Sequence, residues 1–167
     1  MPVDYRIGHG FDVHRFRKGR RLILGGVRVP YGSGLEGHSD ADVLIHALMN
    51  ALLGAVGRGD IGTHFPDTDP RYKGISSEKL LARVVQMVEQ EGFSLINGDI
   101  TLVAQKPRLA PFFAQMKKNL SRLLKVAQNR LNIKAVTTEG LGWMGEGRGM
   151  AAEAVVLLQK RRNRTKG

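Results

Sequence analysis

Cysteine is absent from the 167 residues. Disulfides and thiolate metal ligands are therefore excluded, and any transition-metal site must draw on His, Asp and Glu. No apolar run approaches the roughly 20 residues needed to cross a bilayer. Met1 to Gly10 contains no apolar stretch before a cleavage site and no Ser/Arg-rich leader, which predicts a cytoplasmic protein of bacterial type, or a plastid protein whose transit peptide has been removed. Aromatic residues are few, with three Tyr and one Trp, and they are not interleaved with the basic residues. That pattern argues against a nucleic-acid-binding surface. Acids are also in the minority, and the net charge is +11. The excess favours an anionic partner such as a phosphorylated metabolite. Five of the basic residues, Lys160, Arg161, Arg162, Arg164 and Lys166, crowd the C-terminus, so residues 161–167 read as a solvated, disordered tail and residues 1–160 as one domain.

Hydrophobic patterning divides that domain. Tyr5 to His14 reads as a strand entering a functional loop, and Leu22 to Val29 as a second strand with a Gly25–Gly26 break. Ser39 and Asp42 have capping-box spacing ahead of an apolar run from Val43 to Val56, so a helix is expected from about Ser39. Asp60 to Gly74 reads as a loop. Ser77 opens a second helix, with Leu80, Leu81, Val84, Val85 and Val88 on one face. A third helix follows Pro111, with a stripe of Met116, Leu120, Leu123, Leu124, Ala127 and Leu131. Ile100 to Ala104, Ile133 to Thr137 and Met150 to Leu158 read as strands. Glu139 to Gly149, with five glycines, reads as a loop.

Chemistry-bearing residues fall at the joints of these elements. Asp12 and His14 are two apart, which in a strand turns both side chains to one side. His46 is a titratable ring among Val43, Ala47 and Leu48. Three such ligands would leave a metal with an open position, as in catalytic zinc sites. Spacing alone leaves a second reading, in which Asp-x-His is a chance pair and His46 an ordinary hydrogen-bonded histidine. His38, Ser39 and Asp40 sit where a helix begins, and helix N-termini attract phosphate; Ser39 as a plain cap is the compatible alternative. Lys106-Pro107-Arg108 and Val136-Thr137-Thr138-Glu139 follow strands, where ligand loops lie. Glu139 is a hard oxygen ligand suited to magnesium. The glycines at 142, 145, 147 and 149 have no Lys-Ser or Lys-Thr end and do not fit a nucleotide P-loop.

The segments Gly8-His9-Gly10-Phe11-Asp12-Val13-His14, Gly37-His38-Ser39-Asp40-Ala41-Asp42-Val43 with His46, Asp60-Ile61-Gly62, Phe65-Pro66-Asp67-Thr68-Asp69-Pro70, Asp99-Ile100-Thr101, Ala104-Gln105 and Thr137-Thr138-Glu139 recur in order from about Arg6 to Lys160. Together they resemble the 2-C-methyl-D-erythritol 2,4-cyclodiphosphate synthase family. The resemblance implies an α+β fold: a mixed β-sheet of about four main strands, helices packed on one face, a small N-terminal hairpin, and a homotrimer with active sites between subunits. It implies conversion of 4-diphosphocytidyl-methylerythritol 2-phosphate to a cyclic diphosphate with release of CMP. Zinc, or another divalent transition metal, would lie on Asp12, His14 and His46, and magnesium or manganese would bridge the diphosphate beside Glu139. His38 and Thr137 match positions that stabilise the transition state. Asp12, His14, His38 and Ser39 would also contact substrate. Asp60, Ile61 and Gly62 match the ribose site; Phe65, Asp67 and Asp69 the methylerythritol surroundings; Ala104, Arg108, Leu109 and Ala110 the cytosine pocket; and Ala135, Val136, Thr137, Thr138 and Glu139 the rest of the nucleotide site. Trp143 replaces a frequent Phe and is counted with the substrate contacts. Gly145-Glu146-Gly147-Arg148-Gly149 exchanges the charges of the family's Gly-Arg-Gly-Glu-Gly, whose Arg faces the trimer channel, so no channel ligand is inferred. Glu153 matches a channel-lining Glu, or else is an edge-strand residue facing water. Two other readings carry different expectations: a zinc phosphohydrolase, and a basic nucleic-acid-binding module.

Overall fold

The computed structural model describes residues 4–161. The expected tail falls outside these residues from 162 onward. Arg161, at its head, is tied down: its N–H donates to the Gly92 carbonyl at 2.7 Å and its guanidinium to Glu89 at 2.8 Å.

The strands are β1 (Tyr5–Lys18), β2 (Leu22–Leu24), β3 (Val27–Val29), β4 (Ser33–Leu35), β5 (Phe93–Val103), β6 (Leu131–Val136) and β7 (Gly149–Lys160). Five form one sheet in the order β4-β1-β7-β5-β6, while β2 and β3 pair separately. All the main-sheet pairings are antiparallel except β5–β6, which is parallel, so the sheet is mixed. The single strand expected over Leu22 to Val29 is a hairpin instead, because Gly25 (φ +56°) and Gly26 (φ +74°) take the left-handed conformation that a tight hairpin turn requires. Expected strand ends also move outward: β1 runs on to Lys18, and β5 begins at Phe93.

The helices are α1 (Val43–Ala55), α2 (Ile61–His64), α3 (Ser77–Gln90), α4 (Phe113–Leu124) and α5 (Gly142–Gly145). α1 does not start near Ser39. Its N-cap is Asp42, whose carboxylate accepts the N–H groups of Ile45 (3.1 Å), Gly25 (3.0 Å) and Gly26 (2.7 Å). Two of those donors come from the hairpin turn, so tertiary contact selects between two acceptable caps. α4 ends at Leu124 because Lys125 turns left-handed (φ +57°), so Ala127 lies beyond the helix and Leu131 opens β6. The two expected loops each enclose a one-turn helix, α2 and α5. No described helix is long and apolar enough to cross a membrane.

The core lies between the sheet and α1, α3 and α4. Every residue of α1 from Val43 to Met49 is buried, which explains why its apolar run lacks a polar face. Beneath α1 the sheet offers small residues, Gly8 and Gly10 on β1 and Ala152 and Ala154 on β7. A Cβ on Gly10 would sit 1.9 Å from the Ala47 carbonyl oxygen, and one on Gly8 1.9 Å from that of Ala51. Backbone rests on backbone here. Among the described residues the other sheet face carries no helix, and Ile7 (74% exposed), Phe11, Val13 and Val155 stand open on it. Glu153 also lies on this face, paired with His9 at 2.8 Å. Its strand is the middle one of five, so the edge-strand alternative for Glu153 is corrected.

Gly10→Ala should push α1 off β1 and destabilise the fold by about 2 kcal/mol or more, within or above the usual overpacking range. Denaturant unfolding would measure it; unchanged stability would contradict the close approach.

Candidate active site

The even-numbered residues of β1 face the helix layer. Gly8 and Gly10 admit α1, and Asp12 and His14 follow on the same side, just where α1 presents His46. The result is compact. Asp12 Oδ2 lies 2.9 Å from His14 Nε2 and 2.9 Å from His46 Nδ1, and those two nitrogens are 3.2 Å apart. These separations are close to the edges of a tetrahedron with metal bonds of about 2.0–2.1 Å. Each ring is held from behind. His14 Nδ1 is 2.6 Å from the Glu36 carbonyl oxygen, an acceptor, so it carries a proton, and in the neutral ring Nε2 keeps the lone pair. His46 Nε2 meets the hydroxyls of Ser39 (3.2 Å) and Ser77 (3.0 Å). Burial works to raise the Asp12 carboxyl, but the hydrogen bonds and charge of both histidines outweigh it and hold the group well below the usual carboxylate range. Burial works to lower His14, and the bond and charge of Asp12 outweigh it, so the ring holds a proton more readily than a free histidine. Three inward-facing donor atoms with this mutual attraction for positive charge form a set that could hold a metal ion.

The cluster opens on a cleft of about 420 Å³ lined also by Gly37, His38, Ser39, Ile61, Gly62, Phe65 and Asp67. The loop bearing His38 is braced by Arg20, whose guanidinium donates to the carbonyls of Gly37 (2.9 Å) and Ser39 (2.6 Å). His38 Nε2 lies 3.2 Å from the Asp69 carbonyl oxygen, which only accepts, so its Nδ1 is left as the acceptor of the ring. Asp60 serves as N-cap of α2, accepting the Thr63 N–H at 2.8 Å, and this bond lowers its carboxyl. Asp69 caps the next turn and pairs with Arg71, the main cause of its lowered carboxyl.

The remaining expected residues gather elsewhere. Ala104, Arg108, Leu109, Ala110, Ala135, Val136 and Thr137 line a second cleft of about 640 Å³ beyond the ends of β5 and β6. It shares no lining residue with the first. Thr137 and Glu139 interlock, the Thr hydroxyl donating to Glu139 Oε1 at 3.1 Å and accepting the Glu139 N–H at 3.2 Å. Thr138 donates to the Leu141 carbonyl at 2.8 Å. Trp143 lines neither cleft and sits with Arg15, Lys18 and Arg148 in a third, basic one. Tyr31 and Phe113 line the second cleft without having been anticipated, since nothing local in sequence links them to it. Ser77 was anticipated only as a helix start. Gln105 Oε1, also in the second cleft, is buried and unpartnered among the described residues.

A mixed sheet with helices on one face, carrying an Asp-His-His cluster in the lining of a cleft, defines an α+β protein with a candidate metal site. The sequence pattern of the YgbB family matches residues 5–159. The 2-C-methyl-D-erythritol 2,4-cyclodiphosphate synthase of Geobacillus thermodenitrificans is 59% identical, covering 93% of this chain and 98% of the relative. That of Geotalea uraniireducens is 56% identical over 93% and 99%. A solved 2C-methyl-D-erythritol-2,4-cyclodiphosphate synthase superposes with a TM-score of 0.85 at 43% identity, covering 92% of this chain and 99% of that one. The bifunctional IspDF from Campylobacter jejuni gives a TM-score of 0.92 at 44% identity, covering 95% of this chain and 43% of that longer chain. The chain belongs to the 2-C-methyl-D-erythritol 2,4-cyclodiphosphate synthase family.

His46→Ala removes one of three ligand atoms, so the variant should fail to retain zinc added to the metal-free protein. Elemental analysis after gel filtration reads this directly, and a full complement of zinc would refute the ligand set.

Proposed function

We propose that this protein converts 4-diphosphocytidyl-2-C-methyl-D-erythritol 2-phosphate to 2-C-methyl-D-erythritol 2,4-cyclodiphosphate and CMP, in non-mevalonate isoprenoid precursor synthesis. The carrying observation is the convergence of Asp12, His14 and His46 on one point in the lining of a cleft that His38 and Ser39 also line. Among the solved structures named 2C-methyl-D-erythritol-2,4-cyclodiphosphate synthase, one is described as a form bound to CDP.

In this reaction an oxygen of the 2-phosphate attacks the β-phosphorus. The bond from that phosphorus to the CMP oxygen breaks, and CMP departs with the electron pair. The nucleophile is part of the substrate, so the protein has to align it and balance phosphate charge. Divalent ions at the Asp12-His14-His46 cluster and beside Glu139 would, when bound, supply positive charge against the phosphate oxygens. His38, anchored through Nε2, and the Thr137 hydroxyl would steady the charge that develops around the β-phosphorus. The first cleft takes the methylerythritol and ribose, with Ile61, Gly62, Phe65 and Asp67 against them. The second takes the cytosine, between Ala104, Arg108, Leu109 and Ala110.

Two features favour a homotrimer with shared sites. One is the open apolar sheet face around Ile7 and Phe11. The other is the separation of the two clefts: β1 and β6 are three strands apart, roughly 14 Å at ordinary strand spacing. A neighbour's second cleft brought against the first would complete the site, and closed rotational symmetry would hide all three open faces.

Purified protein given this substrate with magnesium should release CMP and the cyclic product together. Linear phosphate products would indicate a hydrolase, and no turnover with tight, salt-sensitive RNA binding would overturn both enzyme readings. The mass in solution should be three times the 18.4 kDa chain. Ile7→Lys should yield smaller species with turnover lost, whereas an active monomer would contradict the shared site.

A further inference from the structure

Arg20 stands apart from the other basic residues near the end of β1. Arg17 pairs with the Glu36 carboxylate at 2.7 Å. The Arg20 guanidinium goes to backbone instead, Nη1 donating to the Gly37 carbonyl at 2.9 Å and Nη2 to the Ser39 carbonyl at 2.6 Å. Those carbonyls lie on either side of His38. The His38 carbonyl between them accepts the Gly74 N–H at 2.8 Å. Three successive peptide planes are thereby fixed, two of them by one side chain whose planar fork spaces its donors rigidly. Bonds from a charged donor are also the stronger kind. The arginine has a firm base. Gly19 (φ +81°) turns the chain after β1, and the Arg20–Arg21 backbone lies directly on Gly34 of β4, where a Cβ would sit 2.2 Å from the Arg21 carbonyl oxygen. The loop needs such a brace. Gly37 has no side chain to stiffen it. The His38 ring has one hydrogen bond among the described residues, the 3.2 Å approach of Nε2 to the Asp69 carbonyl.

We infer that Arg20 is a positioning residue for the reaction: by gripping the carbonyls on both sides of His38, its guanidinium sets the direction from which the His38 ring enters the first cleft. Arg20 does not itself line that cleft, so it acts through His38 and not on substrate. The part His38 plays in turnover rests on the proposed reaction; the brace does not. The Asp12-His14-His46 cluster stands independently of Arg20. Asp12 and His14 belong to β1 and His46 to α1. Glu36, whose carbonyl meets His14, keeps anchors of its own: its N–H donates to the Arg15 carbonyl at 2.9 Å and its carboxylate pairs with Arg17. Turnover is sensitive to placement on this scale, since a shift of about 1 Å can cost roughly 100-fold in rate.

Arg20→Met keeps the apolar stem and removes the fork. With 4-diphosphocytidyl-2-C-methyl-D-erythritol 2-phosphate, its kcat should fall by roughly 10–100-fold with KM nearly unchanged, and its zinc content should match that of wild type. His38→Ala should be slow by itself. Adding Arg20→Met to it should change kcat by less than about threefold, because residues that act as a unit do not add. Backbone amide exchange reads the loop without turnover. The Gly74 N–H should exchange at least about tenfold faster in Arg20→Met, the loss expected of one hydrogen bond to a charged group, while amides within α1 keep their wild-type rates. An Arg20→Met that costs the same factor with or without His38, that loses its zinc, or that leaves Gly74 exchange unchanged would overturn the inference. Should Arg20→Met not fold, Arg20→Lys, which keeps the charge but not the planar fork, takes its place with the same expected directions. A wild type that does not turn over the substrate would refute the proposed reaction, and Gly74 exchange would still decide the brace.

Discussion

The structure turns on how closely α1 lies on β1. Gly8 and Gly10 have no side chains to hold the helix away, and the carbonyls of Ala51 and Ala47 occupy the space that a Cβ would fill. Gly10 is two residues before Asp12, and Ala47 is next to His46, so the contact that packs the core also fixes the spacing within the Asp12-His14-His46 cluster. Any larger residue at these positions would separate Asp12 on the strand from His46 on the helix. The small residues forgo apolar burial worth about 1.5–3 kcal/mol for each large side chain they replace. The unbroken burial of α1 from Val43 to Met49 compensates on the helix side of the interface.

Polar contacts complete what packing begins. Asp42 joins the start of α1 to the Gly25–Gly26 turn through three N–H donors. Burial pushes its carboxyl up to about 7 against the lowering effect of those donors, principally Gly26. Between this anchor and β4, the loop bearing His38 is secured by backbone groups: Arg20 grips two carbonyls, the Gly74 N–H donates to the His38 carbonyl at 2.8 Å, and the Asp40 N–H donates to Ile75 at 3.1 Å. Hydrogen bonds thereby fix the backbone of a loop that has few apolar side chains to bury.

Legibility in the sequence followed physical range. Asp12 and His14 were readable because strand periodicity is local, and His46 because a titratable ring in an apolar helix stands out against its neighbours. The start of α1 was misread because Ser39 and Asp42 are equally good caps locally, and the deciding donors lie 16 and 17 residues away in the hairpin turn. β4 gave no signal. It is three residues long with a central glycine, and it exists through its register with Phe16 to Lys18. The end of α4 was overrun because Lys125, not a glycine, adopts the left-handed turn. The division of the expected site residues between two clefts is set by strand order, which no local pattern encodes.

A serine, a histidine and an aspartate in hydrogen-bonded sequence invite comparison with a nucleophilic triad, and Ser77 or Ser39, His46 and Asp12 form such a chain. Its direction argues against that chemistry. An activated serine must present its oxygen to substrate and give its proton to the histidine. Ser77 is fully buried behind the ring and within 2.5 Å of Asp40, an acceptor, so its proton is already committed away from His46. Ser39 is 7% exposed and engaged by Ala41. The histidine's free face turns instead to Asp12 and His14. Both serines are supports for the ring, and no cysteine is present to serve as a thiol nucleophile. A reaction whose nucleophile is carried by the substrate itself is the one such a site is equipped to serve.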